Sequence, residues 1–540
     1  MAELTPPPAY GDDGVKRRSL LHSSAVVSVA TLLSRVAGLV RDVVLATLVG
    51  ASSNADAFFV AFKIPNFLRR LFAEGAFAQA FVPVLSETRE QGGREAVKAL
   101  IDRVAGVLGG SLLLLTTLAI IAAPLVAVVF APGFSRDAAK LALTADLIRI
   151  TFPYLFLISL TGFAGGILNS YGRFAVPAFT PILLNVSLIG SAVFLAPQVA
   201  EPVYALALGV LFAGMIQLLF QLPALHGLGL VPRPRWDTHQ VGVRRILTLM
   251  VPALFGVSVS QINLLLDTVL ASLLPAGSVS WLYYSDRLTE LPLGVFAIAI
   301  ATVILPALSS QKALGEQANH RQDFSRTLNW ALSAVLLLAL PATAALAILA
   351  EPILMTLFQY GEFTRYDVQM SAVSLRAYTL GLTAFMLVKV LAPGFYARQD
   401  MRTPVRIGIV AMVTNMVLNP LLVFPLMWQF GVGHAGLALA TSAAAWLNAT
   451  LLWRGLRRDG VLLPPTQGPS WRVLRYCIAV IAMSLLLLVL LPPIEWWLAQ
   501  TMWQRAFALS GLVLAGVLSY LLVLLLVGVR PSQLHSPSNP

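Results

Sequence analysis

Residues 21–49 read LHSSAVVSVATLLSRVAGLVRDVVLATLV, an apolar run interrupted by Arg35, Arg41 and Asp42. A hydrocarbon core about 30 Å thick needs ~20 apolar residues of helix to cross it, so this run predicts a membrane span. A charge at bilayer depth costs ~2.5–3.5 kcal/mol on insertion scales, and charges kept there face a cavity, a partner or a substrate. The run therefore sets both the fold class and the question of what its charges do.

The remaining sequence repeats the pattern. The chain has 540 residues, 58% of them hydrophobic and 11% charged, with a mean hydropathy of +0.80. That composition excludes a soluble globular protein and predicts an all-α polytopic membrane protein. Apolar runs cut by Pro, Gly and charge give fourteen spans: 21–49, 53–86, 99–130, 141–169, 175–196, 202–225, 243–274, 279–310, 327–350, 367–396, 404–426, 431–453, 472–492 and 504–529. The segment before the first span, 1–19, is Pro-rich and polar and carries Lys16, Arg17 and Arg18 near its end. No small-residue cleavage site follows, so it reads as a cytoplasmic tail and not a removed signal peptide. The single cysteine, Cys477, excludes an intrachain disulfide and a Cys-based metal site.

Charge sets the orientation. With cations at the span ends counted with their loops, the cytoplasmic segments hold 24 of the 37 Lys and Arg, and the outside loops hold four, Arg136, Lys140, Arg365 and Arg505. This asymmetry places both termini in the cytoplasm. It also explains the net charge of +12 without nucleic acid, because the cations follow loop position instead of forming one patch.

The chain resembles itself. DVVLAT at 42–47 matches DTVLAS at 267–272, VPVLSE at 82–87 matches LPALSS at 305–310, and NSYGRFAVP at 169–177 matches YARQDMRTP at 396–404. The offsets are 225, 223 and 227, which suggests duplicated six-helix halves inserted the same way up. The expected organisation is a tail (1–19), a first lobe (20–226), a cytoplasmic linker (227–242), a second lobe (243–455), a cytoplasmic loop (456–471), two further helices (472–530) and a tail (531–540).

Charges inside the spans are the candidate functional residues. On the second span Asp56, Lys63 and Arg70 stand seven apart and Glu74 follows Arg70 by four, so they share a helical face, with Asn66 and Arg69 beside it. Such a face either lines a cavity or is closed by Asp56/Lys63 and Arg70/Glu74 ion pairs. On the first span Arg35 and Asp42 share a face, with Gly38 between them. On the eighth, Asp286, Arg287 and Glu290 lie within one turn, after aromatics in WLYYSDR at 281–287 that read as interface-belt residues or sugar-stacking platforms. Cations outnumber acids in these spans, which points to a wet, positively charged central cavity that receives an anion.

Other chemistries lack their motifs. There is no phosphate loop for ATP, no HExxH, no clustered His and no serine nucleophile elbow, so neither an enzyme nor a metal site is expected. The glycine pairs Gly106/Gly110 and Gly162/Gly166 read as helix packing. Asn169, Asn185, Asn415 and Asn419 read as interhelical hydrogen-bond partners in preference to cation ligands. Prolines at 177, 181, 306, 393, 404 and 420 suggest bent helices.

The block SRVAGLVRD at 34–42, followed by ADAFFVAFKIPNFLRRLFAEGAFAQAFVPVLSE at 55–87, resembles the MurJ/MviN family of bacterial lipid II flippases. The likeness extends to GVSVSQINLLLDTVLASLLPAGSVSWLYYSDRL at 256–288, FQYGEFT at 358–364 and VKVLAPGFYARQDMRTPVRI at 388–407. The resemblance implies the multidrug/oligosaccharidyl-lipid/polysaccharide transporter fold, with two six-helix lobes plus two helices. It implies movement of an undecaprenyl-diphosphate-linked peptidoglycan precursor, lipid II, across the bacterial inner membrane. Membrane lipid is the surrounding partner, and cell-wall synthesis or division proteins are further partners to expect. The family's cavity arginines fall on Arg35, Arg41 and Arg287, its further charges on Asp56, Arg69, Arg70 and Glu290, and an acid partnering the arginines on Asp42. The sodium site of some members needs acids on the seventh and eleventh spans; Asp267 lies on the seventh, but the eleventh offers Asn415 and no Asp. The alternative is a drug/cation antiporter of the same superfamily, which calls for an acid-rich cavity.

Overall fold

The computed structural model describes residues 13–70, 77–297, 300, 304–305, 307–309, 318–463 and 469–529. Glu74, Pro306 and the ends 1–12 and 530–540 lie outside the described residues. Among the described residues there is no strand. The helices are α1 (Asp13–Val49), α2 (Ser53–Leu68), α3 (Ala78–Ile121), α4 (Ala123–Phe130), α5 (Ala138–Thr151), α6 (Pro153–Ser170), α7 (Ala175–Gly190), α8 (Pro202–Leu228) and α9 (Val241–Ser272). They continue as α10 (Ser278–Pro292), α11 (Ala318–Ile348), α12 (Ala350–Phe358), α13 (Arg365–Tyr396), α14 (Arg402–Phe430), α15 (Gly433–Arg458), α16 (Pro469–Leu490), α17 (Ile494–Ala499) and α18 (Met502–Leu526).

Among the described residues, ten helical stretches are long and apolar enough to cross a membrane. The four expected spans outside that set fall on α1, α2, α9 and α10, which carry Arg35, Arg41, Asp56, Asp267 and Arg287. The join between the second and third expected spans is not a loop. The helix starting at Ala78 runs on into the third span, broken only at Gly93, whose φ of 67° and ψ of −169° are not helical.

The chain divides into two compact units. Unit 1 holds Met1–Leu45, Ala61–Ala127 and Ala142–Val257; unit 2 holds Ala46–Val60, Val128–Leu141 and Ser258–Pro540. The division therefore falls inside α9 and not in the linker before it. In unit 1, α6 packs on α3 and α8 around Phe81, Leu85, Leu100, Phe163 and Ile167. In unit 2, α13 packs against α11 and α15 around Leu328, Val335, Leu382, Met386 and Phe395, while α16 packs on α11 and α18.

Two turns at matching places in the repeat share one backbone geometry. After α6, Gly172 has φ 73°, and after α13, Gln399 has φ 62°. Arg173 N–H donates to Leu168 O at 2.9 Å, and Asp400 N–H donates to Phe395 O at 3.1 Å; Gly172 N–H to Asn169 O and Gln399 N–H to Tyr396 O repeat the match at 3.1 and 2.9 Å. A left-handed conformation costs a non-glycine residue ~1–2 kcal/mol. Gln399 is the one described non-glycine residue with positive φ, so the turn persists there against its local preference.

The GxxxG pair at 106 and 110 does not pack against a helix. It seats the extended linker after α8. Arg235 N–H donates to Asp102 O at 2.9 Å, Arg233 N–H donates to Asp102 Oδ1 at 2.7 Å, and Arg103 pairs with Asp237 at 3.0 Å. A Cβ on Gly106 would lie 2.2 Å from Arg235 O, and one on Gly110 would lie 2.4 Å from the Trp236 ring. Gly106→Ala therefore must lift the strap, an overpacking cost of about 1–3 kcal/mol, read as a lowered melting temperature of the purified protein. Gly109→Ala is the control, since nothing lies within 4 Å of its Cβ position. It should be neutral or stabilising, because Ala is the better helix former.

Candidate functional site

The charges of unit 1 gather on α1. Arg41 is 3% exposed and Asp42 2%. Arg41 Nε and Nη2 donate to Asp42 Oδ1 at 2.9 and 2.6 Å. Its Nη1 donates to Asn185 Oδ1 on α7 at 3.0 Å, and Asn185 Nδ2 donates back to Ser34 O at 3.0 Å. Gly38 lets that amide approach α1, since a Cβ there would already touch the Asn185 side chain at 3.7 Å. Arg41 is thus a buried, neutralised cation, and Asn185 is the interhelical hydrogen-bond partner expected of it. Arg35, on the same helix, is half-buried and forms no hydrogen bond or ion pair with the described residues. On α2, Lys63 and Arg69 are half-buried and engaged, and Arg70 is exposed. The expected Arg70/Glu74 pair lies outside the described residues.

Asp56 belongs to unit 2 and is 1% exposed. Its carboxylate accepts from Gly277 N–H at 2.7 Å, Ser280 N–H at 3.0 Å and Ser280 Oγ at 2.7 Å. It caps the first turn of α10, where four backbone N–H groups lack intrahelical acceptors and the helix dipole favours an anion. Its cation is Lys140, 3.3 Å away and itself 4.0 Å over the Phe134 ring. Helical spacing offered Lys63 as the partner, as the alternative to a cavity-lining face. The actual cation comes from a segment read as an outside loop, which no period could reveal.

Beyond this cap, Trp281 Nε1 donates to Asp367 Oδ1 at 2.9 Å, and Asp367 closes a capping box with Thr364 at the start of α13. Tyr284 is fully buried among Phe59, Phe358 and Phe363, and Tyr283 stacks on Phe59 with ring centroids 4.1 Å apart. Tyr284 thus belongs to an aromatic core, and Tyr283 lies half-buried at its edge. One turn on, the Arg287 guanidinium lies 5.8 Å from the Tyr283 ring centre, and its Nη1 donates to Glu290 Oε2 at 3.0 Å. That pair is 35% and 44% exposed, and Asp286 beside it is half-buried.

Two polar groups have partners that the sequence did not suggest. On α9, Asp267 Oδ1 accepts from Asn419 Nδ2 at 3.0 Å; the same amide donates to Asn415 Oδ1 at 2.9 Å, and Asn415 donates to Thr441 at 3.1 Å. Asp267 takes the place of Asp42 in the second copy of the repeat, but it meets Asn419 where Asp42 meets Arg41, and Leu266 occupies the place of Arg41. The set brings one carboxylate together with the amides of Asn415 and Asn419 and the Thr441 hydroxyl. Arg505, counted among outside-loop cations, is 7% exposed. It donates to the carbonyls of Trp497, Met355 and Leu498 and to Gln359 Oε1, tying α18 to α17 and α12. Among the described residues, no cluster of three or more His, Cys, Asp or Glu is placed to hold a metal ion.

The profile of the family described as "Lipid II flippase MurJ" matches residues 45–518. A protein of Vibrio cholerae serotype O1 named "Probable lipid II flippase MurJ" is 49% identical over 529 residues, 97% of this chain and 99% of that one. The chain belongs to the MurJ lipid II flippase family. A MurJ of Burkholderia cenocepacia, "Lipid II flippase MurJ", is 44% identical over 87% of this chain and 89% of its own. A solved structure titled "Lipid II flippase MurJ, inward closed conformation" aligns with a TM-score of 0.76 at 27% identity, covering 92% of this chain and 98% of that one. A multidrug resistance MATE family transporter of the MOP superfamily, in an inward-facing conformation, shares the fold alone. Its TM-score is 0.63 at 15% identity, covering 81% of this chain and 98% of its own.

Proposed function

We propose that this MurJ-family chain moves lipid II, the undecaprenyl-diphosphate-linked disaccharide peptide, from the inner to the outer leaflet of the bacterial cytoplasmic membrane by alternating access. Both termini are cytoplasmic in this reading, and the chain is a transporter, not an enzyme. The observation that carries it is Arg35. It is a membrane-depth guanidinium without an acid partner among the described residues, whereas the buried carboxylates Asp42 and Asp56 are each held by a cation. An open cation suits a diphosphate, which guanidinium grips through paired charge-assisted hydrogen bonds. A drug/cation antiporter would need the opposite polarity, an open carboxylate.

In this assignment Arg35 contacts the diphosphate, Asp42 orients Arg41 on the same helix, and Arg287 is the candidate anion-binding cation of unit 2. Asp286 and Glu290 set the charge around Arg287. Lys63, Arg69 and Arg70 supply the positive field along α2. Asp56 latches α2 to α10, and transport in this reading needs that latch intact. The matching turns at Gly172 and Gln399 support the duplicated lobes 20–226 and 243–455, with 472–530 as an appended pair that shelters the isoprenoid tail. Cell-wall synthesis or division proteins would meet the product on the outer side. The test is translocation of fluorescent lipid II in proteoliposomes, with uptake of a cationic drug as control. Protein-dependent lipid II movement without drug uptake is expected; drug uptake with immobile lipid II would reverse the assignment.

A further inference from the structure

We infer that unit 1 carries a site for an anionic phospholipid of the cytoplasmic leaflet, seated between α3 and the first half of α9 and distinct from the translocation residues. The inference rests on the inside-positive orientation proposed above. A cavity of about 210 Å³ lies there, walled by Val107, Leu108, Leu112, Ile246, Leu247 and Met250, with Ser111 the only polar residue in its lining. At ~30 Å³ per water-sized group it has room for roughly seven. That is a short run of one acyl chain, not the length of a polyprenyl tail. One hydroxyl is fewer than the two to four polar partners an ordered water needs, and Leu247 is 41% exposed on its rim.

The end of the cavity nearest the cytoplasm is cationic. Arg103 precedes the lining residue Val104, and Arg244 follows the lining residue Val243. The linker strap lays Arg235 and Trp236 over Gly106 and Gly110, beside Val107. Arg103 and Arg245 are paired, with Asp237 and Glu87. Arg233, Arg235 and Arg244 are exposed, and their guanidinium groups pair with no carboxylate among the described residues. Trp236 is 64% exposed over the strap, the placement of an indole at headgroup level. Uncompensated arginines beside an apolar cleft at the cytoplasmic end of membrane helices match a lipid with a negative headgroup, and such juxtamembrane cations bind anionic lipids. Arg35 lies on α1 and is no part of the lining, so the site is separate from the proposed diphosphate contacts.

Native mass spectrometry of the full-length protein, titrated with dioleoyl phosphatidylglycerol, dioleoyl phosphatidylcholine and undecaprenyl phosphate, tests this. One phosphatidylglycerol should bind in preference to phosphatidylcholine. Arg235→Gln with Arg244→Gln should lower phosphatidylglycerol affinity to the phosphatidylcholine level, about fivefold per cation and roughly thirtyfold for two. Leu108→Trp and, independently, Leu247→Trp should fill the cavity and weaken both phospholipids, with helical content by circular dichroism unchanged. Retention of tight phosphatidylglycerol binding in both tryptophan variants would overturn the site. So would equal binding of the two phospholipids by wild type, or displacement of phosphatidylglycerol by equimolar undecaprenyl phosphate. Lipid II movement by wild type in liposomes without anionic phospholipid tests the flippase assignment on its own, so the two failures are distinguishable.

Discussion

Arg35→Ala abolishes complementation of a flippase-depleted strain while the protein accumulates in the membrane at its normal level. Arg35 is half-buried and holds no other described residue, so its removal should change stability by no more than ~0.5 kcal/mol. What it loses is the substrate. Hydrogen bonds to charged groups contribute ~1.5–3 kcal/mol each, and a bidentate grip supplies two. A fall in translocation rate of roughly a hundredfold or more follows. Arg35→Lys should rescue poorly, because an ammonium lacks the planar fork that matches a diphosphate. Arg41→Ala should behave differently. It breaks the buried Arg41–Asp42 ion pair, a loss of about 3–5 kcal/mol, so its defect includes folding, and Asp42→Asn in the same chain should restore part of the protein level. Normal growth of Arg35→Ala at native expression would remove the anion-binding assignment.

Asp56→Asn lowers the melting temperature and impairs translocation together. The amide keeps one oxygen for the first turn of α10 but breaks the buried Asp56–Lys140 ion pair, at a cost of about 3–5 kcal/mol. The helix also loses a full negative charge at its N-terminus, a further ~0.3–2 kcal/mol. Adding Lys140→Met should recover a large part of the stability, because the buried cation of the broken pair is gone. It should not recover the rate, because the latch at the start of α10 stays weakened. Asp56→Glu should be partly active, with the charge kept and the reach lengthened. An Asn variant as stable and as active as wild type would reduce Asp56 to a spacer. A double variant no more stable than Asp56→Asn would mean that Lys140 is not the cation that matters.

The sequence by itself determined the membrane class, the helical fold, the family and the residues that would carry charge at bilayer depth. These are local properties. About twenty apolar residues partition into lipid whatever they later meet, and Arg35, Arg41, Asp56 and Arg287 are visible against that background as soon as the spans are drawn. Helical period also told which charges share a face of one helix. It could not tell what the face meets. Asp42 and Arg41 are adjacent in sequence, yet their burial depends on Asn185, a residue of α7. Asp56 is held by Lys140 and by Gly277 and Ser280, from two segments far along the chain. The Gly106/Gly110 spacing read as helix packing, because small residues permit close approach of any backbone, and the one that came was an extended strap. Arg505 looked like a loop cation until three carbonyls and an amide closed around it. Burial, pairing and capping are set by which distant segments arrive, and one span's hydropathy holds no record of its neighbours. Tertiary structure alone therefore decided that Arg41, Asp42 and Asp56 hold protein, and that Arg35 has no hydrogen-bond or ion-pair partner among the described residues.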